Sequence, residues 1–209
     1  MVPRLYTPRL TLRGYSWADV PRVQELVSDR RIAAGSFRIP HPYLTGGAEK
    51  WFEEQLQAAA NGKAFTFAVT LTGTRSPGRE HDLSDTGHVI GTVALELELE
   101  QYQADLGYWI GVSYWNKGFA TEAARSVLDF AFSRTQLHRI VAQRFAFNAA
   151  SERVLEKLGF AQEGTLRQAR HKDGRFHDVV TYGLLRDEWA RQRKAYRPAV
   201  AAARALQPA

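Results

Sequence analysis

The sequence has no cysteine and only one methionine in 209 residues. The lack of cysteine excludes disulfides, thiolate metal sites and cysteine nucleophiles. No apolar run approaches the roughly 20 residues that span a bilayer, and the first four residues lack the apolar segment of a signal peptide. The six histidines show no metal-ligand spacing such as H-E-x-x-H. We therefore expect a cytoplasmic protein without a metal site or a membrane partner.

The residues that are present suit one globular domain with a full hydrophobic core, since 44% are hydrophobic and 24% are charged. The formal net charge is +6, and lysine and arginine outnumber carboxylates most clearly in the last quarter of the chain. A basic balance suits a polyanionic ligand, although many basic proteins bind none. Charge alone therefore leaves the ligand class open.

Hydrophobic periodicity predicts a single α/β domain over residues 8–190. Alternating apolar residues predict strands at 9–13, 65–71, 88–100, 104–112, 139–147, 160–170 and 177–185. Helical spacing and capping residues predict helices at 16–27, 48–60, 120–134 and 149–158, and a last one around Trp189. Residues 73–87 are expected to form a surface loop, and residues 191–209 a partly disordered tail. Three antiparallel strands before a β-α-β-α unit predict a mixed sheet with helices on both faces.

Residues 107–122 form the most informative segment, because a strand, a short loop and a helix start follow one another there. The first turn of a helix has unpaired N–H groups and a positive dipole end, so anions bind there. Gly118 lets backbone approach a ligand closely, Ala120 leaves room beside it, and Lys117 adds a cation. The pattern predicts a pyrophosphate cradle, with a merely structural glycine in a tight loop as the alternative. Neither G-x-x-x-x-G-K-[ST] nor G-x-G-x-x-G is present.

Two stretches resemble signatures of the GNAT superfamily of acetyltransferases, and within it the RimJ/RimL-like branch. The first is Gly-Tyr-Trp-Ile at 107–110 followed by Tyr-Trp-Asn-Lys-Gly-Phe-Ala-Thr-Glu-Ala at 114–123. The second is Asn-Ala-Ala-Ser-Glu-Arg-Val-Leu-Glu-Lys-Leu-Gly-Phe at 148–160, then Glu163-Gly164. Residues 39–43 and 173–189 are similar to weaker parts of the pattern. The resemblance covers about residues 8–189, and the two main signatures occur in the expected order and spacing.

The resemblance implies a GNAT-like α/β fold whose mixed, mostly antiparallel sheet splays centrally. It also implies acetyl-CoA as co-substrate, with the pantetheine arm between the strands at 106–112 and 139–147. The implied cofactor-binding residues are Trp109, Ile110, Gly111, Val112, Asn116, Lys117, Gly118, Phe119, Ala120, Thr121, Asn148 and Ser151. Trp115 stands where the superfamily usually has Arg or Gln.

Acetyl transfer to an amine needs a neutral nucleophile and a proton for the departing thiolate. Many superfamily members supply that proton from a tyrosine, but Leu155 occupies the position here, and the branch suggests Ser151 instead. Helix capping is the alternative role for Asn148 and Ser151. For the base, the residues offer Asp105 and the alternating Glu96, Glu98 and Glu100, with a solvated strand face as the alternative.

The acceptor side is predicted around His41, Tyr43, Glu96 and Arg170. His41 and Tyr43 either line the acceptor pocket or pack a proline-stiffened loop. Some branch members have a carboxylate where this chain has Arg170. Arg170 also belongs to a cluster of four cations at 167–175, which either attracts an acidic acceptor or ribosomal RNA or is a solvated hairpin.

The function implied is transfer of an acetyl group from acetyl-CoA to a primary amine, with a protein N-terminus of the ribosomal type as acceptor. One alternative is acetylation of a small amine such as a polyamine or aminoglycoside. Another is a non-catalytic, CoA-binding or ribosome-associated module. Ribosome association and a monomeric or homodimeric state are further expectations, and the sequence does not choose between the two states.

Overall fold

The computed structural model describes residues 2–72 and 87–195, so most of the predicted 73–87 loop and of the 191–209 tail lies outside the described residues. The described strands are β1 Leu5–Tyr6, β2 Leu10–Arg13, β3 Ala64–Leu71, β4 Val89–Glu98, β5 Gln103–Ile110, β6 Arg139–Phe145, β7 Ala161–Lys172 and β8 Arg175–Leu185. The described helices are α1 Val20–Val27, α2 Arg30–Gly35, α3 Gly47–Ala60, α4 Phe119–Arg134, α5 Ala149–Leu158 and α6 Arg186–Ala195. Residues 191–195, predicted as tail, therefore belong to α6.

The eight described strands form one sheet in the order β1-β2-β3-β4-β5-β6-β8-β7. Every pair is antiparallel except β5 with β6. The parallel pair is short, running from Gln103↔Arg139 to Asp105↔Val141, and beyond it the two strands part. We call the gap between residues 106–110 of β5 and 142–145 of β6 the splay. The predicted mixed, mostly antiparallel sheet with a central splay is confirmed.

Helices cover both faces of the sheet, as predicted. The main core lies between the sheet and α4 and α5, with Phe67, Val93, Leu106, Leu128 and Leu155 among its buried side chains. A second cluster on the opposite face packs α1 and α3 against β3 and β4, through Val20, Val23, Phe52, Ala68 and Val89. Alternation along β5 therefore directs Leu106 and Tyr108 toward α4 and α5, and Asp105 and Trp109 toward α1 and α3.

Two short elements were not predicted, the β1 strand and the α2 helix, because neither is long enough to show a period. Some predicted strands were too long. A 3₁₀ turn at Val112–Tyr114 follows β5, and another at Leu99–Gln101 follows β4. Glu100 therefore lies in a turn, and the prediction that it shares a strand face with Glu96 and Glu98 is wrong.

Within residues 2–72 and 87–195, no helix combines the length and apolar character needed to cross a membrane. Over the same residues, no three His, Asp or Glu side chains gather closely enough to hold a metal ion.

Asp19 anchors the segment that precedes α1 and provides a pH-dependent test of the fold. Its carboxylate accepts bidentate bonds of 2.7 and 2.8 Å from Arg13, and one of 2.8 Å from the Ser16 amide. Burial alone would raise the pKa of Asp19, but the bonds from Arg13 and Ser16 hold it below its ordinary value.

Asp19→Asn should therefore destabilise the protein at neutral pH by about 1–3 kcal/mol, because the carboxylate bonds are lost. A depressed native pKa stabilises the fold above the unfolded value of about 3.9 and loses this effect below it. The gap in unfolding free energy between parent and variant should thus shrink as pH falls below about 4. Denaturant unfolding at pH 7 and pH 3 measures it, and a pH-independent gap would contradict the assignment.

Candidate active site

The loop before α4 has the backbone shape of an anion-binding site. Asn116 and Gly118 adopt left-handed φ values of +59° and +79°. Gly118 is the N-cap of α4, and as a glycine it has no side chain with which to cap the helix. The first-turn amides, from Phe119 onward, have no partner within the helix and point to the loop side. The loop at 116–121 thus offers backbone N–H groups, and the left-handed φ at 118 favours glycine, while the pyrophosphate cradle itself stays a prediction.

Arg9 is a cation at this loop that sequence reasoning missed. Its guanidinium donates to Lys117 O at 2.9 Å and to Glu122 Oε2 at 2.6 Å. The Arg9 guanidinium also lies 4.7 Å from the centre of the Phe119 ring. Glu122 additionally accepts 2.6 Å from the Thr7 hydroxyl, so the N-terminal strand is tied to the loop. No local pattern could have found a pair 113 positions apart in the sequence.

Two other loop side chains bind backbone nearby. Trp115 Nε1 donates to Ile110 O at 2.6 Å, and Lys117 Nζ donates to Ser113 O at 3.1 Å. The Ile110 carbonyl, which lies in the region predicted to pair with a pantetheine arm, is thus engaged by Trp115. The amide of Gly111 donates to Ile90 O at 2.8 Å, which keeps the end of β5 on β4.

Asn148 and Ser151 lie at the start of α5, beside the splay. Asn148 Oδ1 accepts from Ser151 N at 3.1 Å, so Asn148 does cap the helix, and its Nδ2 donates to Gly35 O at 3.3 Å. Across the splay, the Tyr108 hydroxyl of β5 lies 2.8 Å from Ser151 Oγ. Leu155, at the position of the superfamily's tyrosine, is fully buried.

A buried cation stabilises this end of β6. Arg144 is 5% exposed and donates to Ala146 O at 2.8 Å and to the Tyr182 hydroxyl at 3.0 Å. It also pairs with Glu152 in the first turn of α5. These contacts fix the orientation of α5 relative to β6, independently of Asn148.

Three of the carboxylates predicted as candidate bases, Glu96, Glu98 and Asp105, occupy the other face of the sheet. Glu96 and Asp105 are directly opposed across β4 and β5, at the point where the splay opens. Arg38, from the α2–α3 loop, forms a bidentate ion pair with Glu96, with Nη2 2.7 Å from Oε2. Burial raises the pKa of Asp105, the Arg38 charge opposes this rise, and Glu98 adds to it. Glu96 is thus engaged by Arg38, and Asp105 is the carboxyl with the raised pKa.

The remaining predicted acceptor residues lie on the α2–α3 loop and on the β7–β8 hairpin. His41 is exposed, whereas Tyr43 is half-buried and packs against the α1/α3 cluster. The Arg170 guanidinium lies 5.5 Å from the centre of the Phe37 ring. Lys172 Nζ donates to Ser36 O at 2.7 Å and to Ile39 O at 2.8 Å. The β7–β8 hairpin is therefore bonded to the α2–α3 loop.

The fold is therefore an α/β fold whose mixed sheet parts beside the glycine-led N-terminus of a helix. The sequence pattern of the Acetyltransferase (GNAT) domain matches residues 9–161. The chain belongs to this family, and it is an N-acetyltransferase.

Curated relatives agree in sequence. The chain is 30% identical over 187 residues to the uncharacterized N-acetyltransferase p20 of Bacillus licheniformis, covering 89% of this chain and 98% of p20. It is 34% identical over 113 residues to the putative ribosomal N-acetyltransferase YdaF of Bacillus subtilis, covering 54% of this chain and 62% of YdaF.

Solved structures agree in fold. The ribosomal L7/L12 α-N-protein acetyltransferase RimL, in complex with coenzyme A, superposes with a TM-score of 0.77 at 19% identity, covering 89% of this chain and 99% of RimL. The spermidine N-acetyltransferase from Vibrio cholerae, in complex with CoA and spermine, superposes with a TM-score of 0.73 at 23% identity, covering 88% of this chain and 99% of that enzyme.

Arg38→Gln should raise the pKa of Asp105 further, because it removes the cation that opposes burial. Carboxyl ¹³C NMR titration of parent and variant measures this pKa directly. Arg31→Gln is the matched control, since Arg31 is an exposed α2 arginine that pairs with Asp29 instead. An Asp105 titration that Arg38→Gln leaves unmoved, or that Arg31→Gln moves equally, would contradict the coupling.

Proposed function

We propose that this N-acetyltransferase takes its acetyl group from acetyl-CoA and delivers it to a primary amine, the α-amino group of a protein N-terminus. The observation that carries the proposal is the position of the uncapped α4 N-terminus at the end of the strand that borders the splay. The helix N-terminus is suited to bind an anion, and the splay leaves room for an extended pantetheine arm.

The residues around the loop fit a diphosphate. The amides at 116–121 supply donors, and the α4 dipole favours negative charge at this end. Arg9 and Lys117 contribute two cations beside these amides. Acetyl-CoA, when bound, supplies an acetyl thioester, which is activated toward amines.

The candidate acid and base approach the splay from opposite faces of the sheet. Asp105, with its raised pKa, is suited to accept a proton from the incoming ammonium, directly or through water. Ser151 is suited to donate a proton from the α5 side. Asn148 accepts a hydrogen bond from the Ser151 amide and so caps the start of α5.

The acceptor class is inferred from one relative and from the side chains near the basic hairpin. The likeness to a putative ribosomal N-acetyltransferase favours a protein N-terminus. The exposed Phe147 and the half-buried Phe37 near the basic hairpin offer apolar contacts to a peptide chain. A small polycationic amine is the second candidate, because Glu96, Glu98 and Asp105 form an acidic group on the α1/α3 face. Ribosome association accompanies the first candidate only.

An acceptor panel tests the proposal. N-terminal peptides of ribosomal proteins, spermidine and an aminoglycoside are each incubated with acetyl-CoA, and thiol release is followed. Mass spectrometry then locates the acetyl group. Acetylation of a peptide α-amine supports the proposal. Exclusive acetylation of spermidine or the aminoglycoside overturns the acceptor assignment.

Gly118→Ala should weaken CoA binding at least about tenfold, because its Cβ opposes the left-handed conformation and crowds the anion site. Gly46→Ala is the matched control, since Gly46 is also a left-handed helix N-cap, at φ +83°, with nothing near its Cβ position. Both variants should lose about 1–2 kcal/mol of stability.

The measurement is CoA affinity by calorimetry, with melting temperature to report the shared backbone strain. Saturating CoA should raise the melting temperature of the parent. Equal loss of CoA affinity in the two variants would mean that strain, and not the anion site, is responsible.

The basic hairpin, residues 167–175, carries four cations. Lys172 is bonded to the α2–α3 loop, so replacing it would also disturb the fold. Arg167→Ser with Arg175→Ser removes two exposed charges instead. If the hairpin attracts an acidic acceptor, this pair should raise the acceptor KM at low salt. The difference should vanish near 1 M salt, where the Debye length is about 3 Å.

Arg134→Ser with Arg191→Ser is the matched control, because it removes the same charge at the other end of α4 and on α6. KM is measured at about 0.05 and 1 M salt with the acceptor found in the panel. A rise in KM that the control pair reproduces would assign the effect to net charge.

A further inference from the structure

Tyr108 belongs to the strand that borders the splay. It lies three positions beyond Asp105, the last β5 residue that pairs with β6. Its backbone pairs only with Val93 of β4, and its side chain points toward α5. A side chain at this position can reach the start of α5 only by crossing the splay. The Tyr108 hydroxyl does so, lying 2.8 Å from Ser151 Oγ and 3.2 Å from Ser151 O.

The first turn of α5 does not need this hydrogen bond for its position. Asn148 caps the turn through the Ser151 amide, and Arg144 holds it through Glu152. The hydrogen bond between the Tyr108 and Ser151 hydroxyls, in which either oxygen can be the donor, therefore adds little to the anchorage of α5, but it does hold the Ser151 hydroxyl in place. That hydroxyl belongs to the residue proposed as proton donor.

Serine alone is a poor acid for a departing thiolate. An unperturbed thiol has a pKa of about 8.5, and an aliphatic hydroxyl is a much weaker acid. A donor bond to Oγ lowers this cost, because it stabilises the negative charge that develops on Oγ as its proton leaves. Burial raises the pKa of Tyr108, and the nearby Tyr182 adds to the rise. The Ser151 hydrogen bond and the Arg144 charge lower this pKa, but burial is the largest effect, so the phenol keeps its proton.

We infer that Tyr108 is a positioning residue for Ser151. The hydrogen bond from the Tyr108 hydroxyl compensates for the superfamily's tyrosine, whose position in α5 is occupied here by Leu155. The inference rests on the proposed function. In the step, the amine nitrogen forms a C–N bond to the acetyl carbon while the C–S bond breaks. The sulfur takes the Ser151 proton, and Tyr108 donates to the Oγ that remains. The proton lost by the amine returns to Ser151 through water, so the protons balance.

Binding of CoA and desulfo-CoA, which lacks the sulfur, isolates this contact without any acceptor. Calorimetry at about pH 9, where part of the thiol is ionised, should give a preference for CoA of about 3- to 10-fold in the parent. Ser151→Ala and Tyr108→Phe should each reduce the preference toward one. The double variant should lose no more of the preference for CoA than Ser151→Ala alone, because both substitutions break the same hydrogen-bonded pair.

Tyr15→Phe is the matched control, since Tyr15 is also a buried tyrosine, with its hydroxyl 2.6 Å from that of Thr92. It should keep the preference for CoA. With the acceptor from the panel, Tyr108→Phe should lower kcat about 10- to 100-fold at a nearly constant KM for acetyl-CoA, which carries no free thiol. Should Tyr108→Phe fail to fold, Ser151→Ala and Ser151→Thr test the same bond from the other side.

A preference for CoA that survives in Tyr108→Phe, or effects that add in the double variant, would overturn the inference. A parent protein that binds neither CoA nor desulfo-CoA would overturn the proposed function, and the inference with it. A parent that binds CoA with no preference over desulfo-CoA overturns the inference alone.

Discussion

The parting of β5 from β6 is the constraint on which the rest of the structure depends. Hydrogen bonding between parallel strands ends at Asp105↔Val141, although both strands continue. Backbone groups inside a protein need partners, and strands that separate leave a row of them for another chain. An extended ligand with its own amide groups is the natural occupant of such a gap. The sheet keeps its strength elsewhere, because β5 remains paired to β4 along its whole length and β6 to β8.

The splay also explains how polar groups come to lie near one another while belonging to different faces. Alternation directs Asp105 toward α1 and α3, and Tyr108 toward α4 and α5. In a continuous sheet the two faces would be separated by the backbone layer. Where the strands part, a reacting centre between them is accessible from both sides. An acid and a base can then act on the same bond without lying next to each other. If they were adjacent, their titrations would be coupled.

Sequence patterns predicted the structural features that depend on residues close together in the chain. The helices α3, α4 and α5 and the loop glycine Gly118 follow from periodicity, capping and backbone permissiveness, and the structure agrees with them to within one or two residues. Arg9 with Glu122, Arg38 with Glu96, and Tyr108 with Ser151 could not be found this way. Each pair joins residues that only the folded sheet brings together, so no local spacing records it.

The α2–α3 loop shows how such distant pairs shape the acceptor side. It is held at one point by Arg38 on Glu96 and at another by Lys172 on Ser36 and Ile39. The first attachment is exposed, so water and salt weaken it. The second is partly buried, and burial lowers the pKa of Lys172. A cationic acceptor that reaches Glu96 must compete with Arg38, whereas an acceptor near the hairpin need not disturb Lys172. The α2–α3 loop is therefore held firmly at the hairpin and more loosely over the carboxylates, where we propose that the incoming amine arrives.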